Sequence, residues 1–287
     1  MKYGFRKLAL AGVMAAAFAT PALAAVSASA TVSDFSITLY DLNPLDGIMP
    51  TITWSSISAD PNMATNTSAS VSGPYSASNT YNYTPIGVLN TSTATISDAT
   101  ATATINGNML SASGSATATS ASWQNRSFSA GARHGDYVSN FILSANTAAI
   151  FTANVTTLAS VTVGYDPLSG QSEAASANIT MSVSGNGASG NGSQNSSDSL
   201  SASAGGWWWY PTLPLTQSNS AILAGSFVNT SAGDLSGAFQ LGATVNGYTN
   251  VVASAVSVTA VPEPESYAMF LAGLGLIGAV ARRRQAR

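Results

Sequence analysis

His134 is the only histidine in the chain and sits in Gly131-Ala132-Arg133-His134-Gly135-Asp136. An imidazole near an aspartate is part of a hydrolytic triad, but a triad also needs a nucleophile in hydrogen-bond reach. Serine is so abundant that one will lie near any histidine by chance, and no Gly-x-Ser-x-Gly elbow occurs. His134 therefore reads as a polar loop residue, and no catalytic residue is assigned. Asp41-Leu42-Asn43-Pro44-Leu45-Asp46-Gly47 combines hard oxygen ligands with a turn glycine, as Ca²⁺ requires. Its spacing is one residue too long for an EF-hand loop and no glutamate closes it, so it reads as an acidic turn. No metal or cofactor is assigned. Trp207-Trp208-Trp209-Tyr210 has two readings. Flat aromatic faces offer large contact at low entropic cost, so the four rings suit a platform for sugar rings or a partner. Alternatively they form a strand whose rings plug one end of the fold. A glycosidase would need two facing carboxylates, and no spacing pairs any here.

These residues must be carried by a chain of unusual composition. Only 7% of its 287 residues are charged, against about 25% in an average protein. Ser and Thr make up about 30% of residues 25–260. Disorder goes with high charge and few aromatics, whereas here charge is low and Trp, Tyr, Phe, Val and Ile recur throughout. Between residues 25 and 260, Arg126 and Arg133 face ten carboxylates, with no lysine, a balance of −8. Such a surface repels phosphate backbones and argues against nucleic-acid binding. The absence of cysteine excludes disulfides, thiolate metal sites and cysteine nucleophiles.

The ends read as addresses. Lys2, Arg6 and Lys7 precede an apolar run from Leu8 to Ala19. Thr20-Pro21 breaks the run, and Ala22-Leu23-Ala24 supplies a small-x-small cleavage site. Residues 1–24 are expected to be a secretory signal peptide, passed through the translocon and cut by signal peptidase between Ala24 and Ala25. At the other end, Val261-Pro262-Glu263-Pro264-Glu265 leads into an uncharged run from Tyr267 to Ala281, then Arg282-Arg283-Arg284. Fifteen helical residues span about 22 Å, and snorkelling arginines lengthen the reach. The arginines place the C-terminus on the cytoplasmic side. The prolines keep the approach to the membrane extended. This ordered set, confined to about the last 27 residues, resembles a PEP-CTERM sorting signal. The resemblance implies recognition of Pro262, Glu263 and Pro264 by an exosortase, an integral-membrane cysteine transpeptidase-like enzyme. It further implies a Gram-negative host that secretes exopolysaccharide, transient anchoring in the inner membrane through a helix over 267–281, and a final place at the cell surface or in its matrix.

Between the ends the hydrophobic period is 2, which predicts strands. Phe35, Ile37 and Leu39 alternate with hydroxyls, as do Ile52 and Trp54. Residues 100–104 alternate Ala and Thr before the hairpin signal Asn106-Gly107. Strands are predicted over 137–144, 149–158, 159–165 and 177–184, with a turn at Asp166-Pro167-Leu168-Ser169-Gly170. Residues 185–206, rich in Gly, Asn and Ser, read as a mobile loop or linker. Strands follow over 221–229, 237–245 and 248–259, with Asn246-Gly247 as a second hairpin turn. The expected architecture is a single all-β, β-sandwich-like domain. Its first part is 25–184, the loop and aromatic cluster 185–210, and its terminal strands 211–260. The sorting signal is 261–287. The expected function is a non-enzymatic, surface-sorted component of extracellular matrix or biofilm, in contact with exopolysaccharide. The rival expectation is a carbohydrate-binding or carbohydrate-active protein that uses Trp207, Trp208, Trp209 and Tyr210.

Overall fold

The structure is a computed structural model that describes residues 24–54, 65–84, 89–107, 109–118, 124–135, 141–167, 170–186, 193–206 and 213–251. The described residues form fifteen strands and no helix. β1 (Ala24–Asp41), β2 (Ile52–Trp54), β3 (Thr65–Ser72), β4 (Ser76–Thr84) and β5 (Asn90–Ile96) come first. β6 (Ala99–Asn106), β7 (Met109–Ala118), β8 (Gln124–Gly135), β9 (Phe141–Leu143) and β10 (Thr147–Val161) follow. β11 (Tyr165–Asp166), β12 (Gln171–Asn186), β13 (Ser193–Gly205), β14 (Thr216–Asn229) and β15 (Leu235–Val251) complete the order. One sheet runs β14-β10-β1-β7-β6-β5; the other runs β11-β12-β15-β8-β3-β4, with β13 on β12 and β9 joining β15 to β2. Every described pairing is antiparallel.

The inner faces of both sheets contribute to one core. Of the 42 buried hydrophobic residues described, 23 are alanine, so most of that core has little side-chain volume. Volume is concentrated at a few rings. Phe35, Trp54, Phe141, Phe151, Phe227 and Phe239 form a connected cluster with centroid separations of 5.0–6.0 Å, within the range of favourable aromatic pairs. Phe128 is accommodated differently: its ring lies over Gly114 of β7 and Gly247 of β15, where a Cβ would overlap it.

β1 shows how sequence parity becomes packing. Val26, Ala28, Ala30 and Val32 point inward at even positions, whereas Phe35, Ile37 and Leu39 are the inward residues further along. One extra residue must reset the alternation. The register shifts between Ser33 and Ser36, and Asp34 adopts a φ of 52°. Its carboxylate accepts a 3.0 Å hydrogen bond from Asn154 Nδ2.

The all-β expectation holds, and the Asn106-Gly107 hairpin joins β6 to β7. Several local expectations are corrected. Residues 193–205, read as part of a loop, form β13 on β12. Its side chains also close the flank between the sheets. Val228 N–H donates to Gln194 Oε1 at 3.0 Å and Gln194 Nε2 donates to Val228 O at 2.6 Å. Ala224 N–H donates to Asp198 Oδ2 at 3.2 Å. Polar residues that looked like a linker are thus a hydrogen-bonding edge. Asn246-Gly247 is not a turn: β15 runs through it, because the glycine is needed beneath Phe128. The two strands expected over 149–165 are largely one, β10, with β11 beginning at Tyr165. The strand expected over 137–144 is described only as β9.

Candidate functional site

Part of the outer face of the first sheet is a grid of hydroxyls; further along the same strands Met109, Ile150 and Ile222 are exposed. Alternation turns every second residue outward, and antiparallel register aligns these residues across strands. One row reads Thr95, Thr100, Ser115, Ser27, Ser160, Thr216 from β5 to β14. The next reads Thr93, Thr102, Ser113, Ser29, Leu158, Ser218. The third reads Thr91, Thr104, Ser111, Thr31, Thr156, Ser220. Seventeen of these eighteen positions carry a hydroxyl, none carries a charge, and none is buried. Neighbours within a row are about 4.8 Å apart and rows about 6.7 Å apart by strand geometry. Several hydroxyls bond across strands, including Ser160 with Thr216 at 2.9 Å and Thr91 with Thr104 at 3.3 Å. The outer face of the second sheet is less uniform, since Arg133, Gly131 and Tyr248 interrupt it. The signal for the grid was present as Ala-Thr and Ala-Ser alternation, but its alignment across six strands requires the register.

A pocket of about 460 Å³ opens on the second sheet, lined by Phe128, Tyr248, Leu213 and the hydroxyls of Ser129, Ser176 and Ser203. Tyr248 donates to Ser172 Oγ at 3.3 Å, and partial burial raises its phenol pKa. Leu213 directly follows the segment containing Trp207, Trp208, Trp209 and Tyr210, which lies outside the described residues. The two ends of that segment are pinned together, because Gly205 N–H donates to Pro214 O at 3.0 Å.

The structure separates the other candidates. His134 is not a loop residue: it is buried in β8, 5% exposed. Its Nε2 lies 3.0 Å from Gly107 O, whereas Nδ1 has no hydrogen-bond partner. Nε2 therefore carries the proton it donates to that carbonyl, and burial lowers the ring pKa despite this bond. Among the described residues, neither a nucleophile nor an orienter is hydrogen-bonded to Nδ1. Asp41 and Asp46 each cap their own turn, accepting from Asn43 N–H at 2.9 Å and Ile48 N–H at 2.7 Å. Asp46 also accepts from Asn146 Nδ2 at 2.7 Å.

Glu173, which the sequence did not single out, is fully buried in β12. Its carboxylate accepts from Thr162 N–H and Val163 N–H at 2.8 Å, Thr162 Oγ1 at 3.0 Å and Gln171 Nε2 at 3.2 Å. Gly164 N–H adds a longer contact of 3.4 Å. Ala24 and Ala25 open β1, so the expected cleavage bond is the first bond of that strand. Ala22, the sorting residues Val261, Pro262, Glu263, Pro264 and Glu265, the arginines Arg282, Arg283 and Arg284, and the expected span 267–281 lie outside the described residues. No helix among the described residues is long and apolar enough to cross a membrane.

Comparison with protein families decides what the tail is: the PEP-CTERM protein-sorting motif matches residues 260–285. The chain carries a PEP-CTERM sorting motif. This motif implies an exported bacterial protein that is sorted to the surface and processed by an exosortase. Neither curated proteins nor solved structures provide a match to the chain.

Proposed function

We propose that this PEP-CTERM chain is a non-enzymatic matrix component of a Gram-negative surface, whose hydroxyl grid contacts neutral exopolysaccharide. The grid carries the reading. A charged face would hold its hydration too strongly to exchange it for neutral sugar hydroxyls, whereas hydroxyls exchange one hydrogen bond for another at small net cost. Each such exchange contributes about 0.5–1.5 kcal/mol at most, so retention depends on many contacts along one polymer. The motif supplies the location, and transient anchoring through 267–281 precedes release into the matrix.

The test is co-sedimentation of the exported protein with insoluble neutral exopolysaccharide from its host. Thr102→Lys with Ser29→Lys places two ammonium groups in the middle row at half-buried positions. Retention should fall at least tenfold while the fold persists. Equal retention of the variant and the parent would refute the grid as the contact surface.

The second reading, carbohydrate binding through Trp207, Trp208, Trp209 and Tyr210, is favoured by the pocket beside Leu213. It predicts binding to short soluble oligosaccharides that disappears in Trp208→Ala. The grid reading predicts no dependence on that residue.

A further inference from the structure

We infer that signal-peptide cleavage installs the cation that neutralises buried Glu173, and so locks the N-terminal strand into the mature fold. Five described groups donate hydrogen bonds to Glu173, and none of these donors is a cation. Between residues 25 and 260 the basic side chains other than His134 are Arg126 and Arg133. Neither donates to this carboxylate, and Arg126 is engaged by Asp98 at 2.6 Å. A buried carboxylate without a countercharge is costly even when hydrogen-bonded.

One nitrogen is poised to become the missing charge. Ala25 N–H donates to Thr162 Oγ1 at 2.9 Å, and that hydroxyl donates its own proton to Glu173 at 3.0 Å. Thr162 N–H also lies 3.1 Å from Ala25 O, which holds the residue from its other side. In the precursor the Ala25 nitrogen is a neutral amide. Hydrolysis of the Ala24–Ala25 bond consumes one water, leaves a carboxylate on Ala24 and frees an amine on Ala25. That amine takes up a proton at neutral pH, since an α-amino group titrates at about 7.7–8.0. The donor to Thr162 is then an ammonium group, and the relay ends on a carboxylate. Charge-assisted hydrogen bonds are roughly twice as strong as neutral ones. Cleavage also removes Ala24, which is fully buried against Ala118. The ammonium link offsets that lost contact.

The test exploits the absence of lysine beyond Lys7, because the mature chain then carries a single amine. Exported full-length protein is first sequenced from its N-terminus, which should be Ala25. Acetylation of the α-amino group removes its charge. It should raise the unfolding constant of the parent by about fivefold or more, as loss of one charge-assisted bond requires. The same treatment should have little effect, within about twofold, on Thr162→Val, which removes the relay hydroxyl at an exposed position, or on Glu173→Gln. An N-terminus other than Ala25 would overturn the inference, as would an equal acetylation effect in the parent and Thr162→Val. The Thr162→Val comparison stands even where Glu173→Gln does not fold.

Discussion

Gly114→Ala is a sharp test of how this alanine core is held in place. The added methyl would overlap the Phe128 ring, which is 2% exposed and is also covered by Gly247 from the other sheet. The ring is contacted from both sheets. Overpacking of this kind costs about 1–3 kcal/mol. Replacing glycine returns about 0.4–1 kcal/mol by restricting the unfolded chain. The net expectation is destabilisation of about 0–2.6 kcal/mol. Phe128→Ala alone should cost about 3–5 kcal/mol. In the double variant the methyl enters vacated space, so the overpacking cost disappears. The pair should therefore be less destabilised than the sum of the singles by about 1–3 kcal/mol. Urea unfolding of the four proteins measures each term. Gly233→Ala, whose added methyl would meet nothing within 4 Å, is the control and should show no coupling to Phe128. Additivity of Gly114→Ala with Phe128→Ala within about 0.5 kcal/mol would refute the packing argument.

Burial holds the His134 pKa below 6.5, so on acidification the unfolded chain takes up a proton before the folded one. Stability should fall as pH drops from about 6.5 to the lower folded value, and His134→Leu should flatten that slope in pH-dependent urea midpoints. Gln194→Ala leaves Val228 N–H and C=O without their side-chain partners; it should cost about 1–3 kcal/mol, and no change in the urea midpoint would mean water replaces the bond freely. At the tail, Pro262→Ala with Pro264→Ala should block removal of the segment from about Tyr267 onward, because recognition needs extended backbone there. Intact mass of the mature protein from hosts with and without exosortase checks it, and persistence of the arginine-rich tail in both would contradict it.

Period-2 alternation made the strands legible, and the sorting motif was legible because three unlike elements stand in fixed order. Pairing was not legible. Ala-Ser and Ala-Thr repeats match one another in any register, so neither the order of the strands nor the alignment of their hydroxyls follows from them. β13 was missed because Gly, Asn and Ser read as linker composition, and the hydrogen bonds that Gln194 and Asp198 make to β14 depend on a sequence-distant edge. The Asn246-Gly247 misreading has the same origin, since the glycine answers to Phe128, over a hundred positions away. Glu173 gave no signal at all: a lone carboxylate between Ser172 and Ala174 looks like surface until Thr162, Val163 and Gly164 fold over it.

The hydroxyl grid raises a problem of specificity that the structure answers with a few fixed points. A one-residue slip of β6 would turn Ala101 and Ala103 outward and press Thr100 and Thr102 into the alanine core. Alanine methyls alone penalise that weakly. Gly107, with a φ of 57°, sets the β6–β7 hairpin, the bulge at Asp34 sets β1, and Phe128 over Gly114 fixes β7 against the second sheet. Carboxylates are placed under the same constraint. Asp34 lies at the bulge, Asp41 at the end of β1, Asp46 and Asp98 in turns, Asp198 on the closed flank, and Glu173 inside. None falls within the three hydroxyl rows. The three hydroxyl rows, where contact with a neutral polymer is proposed, carry no charge.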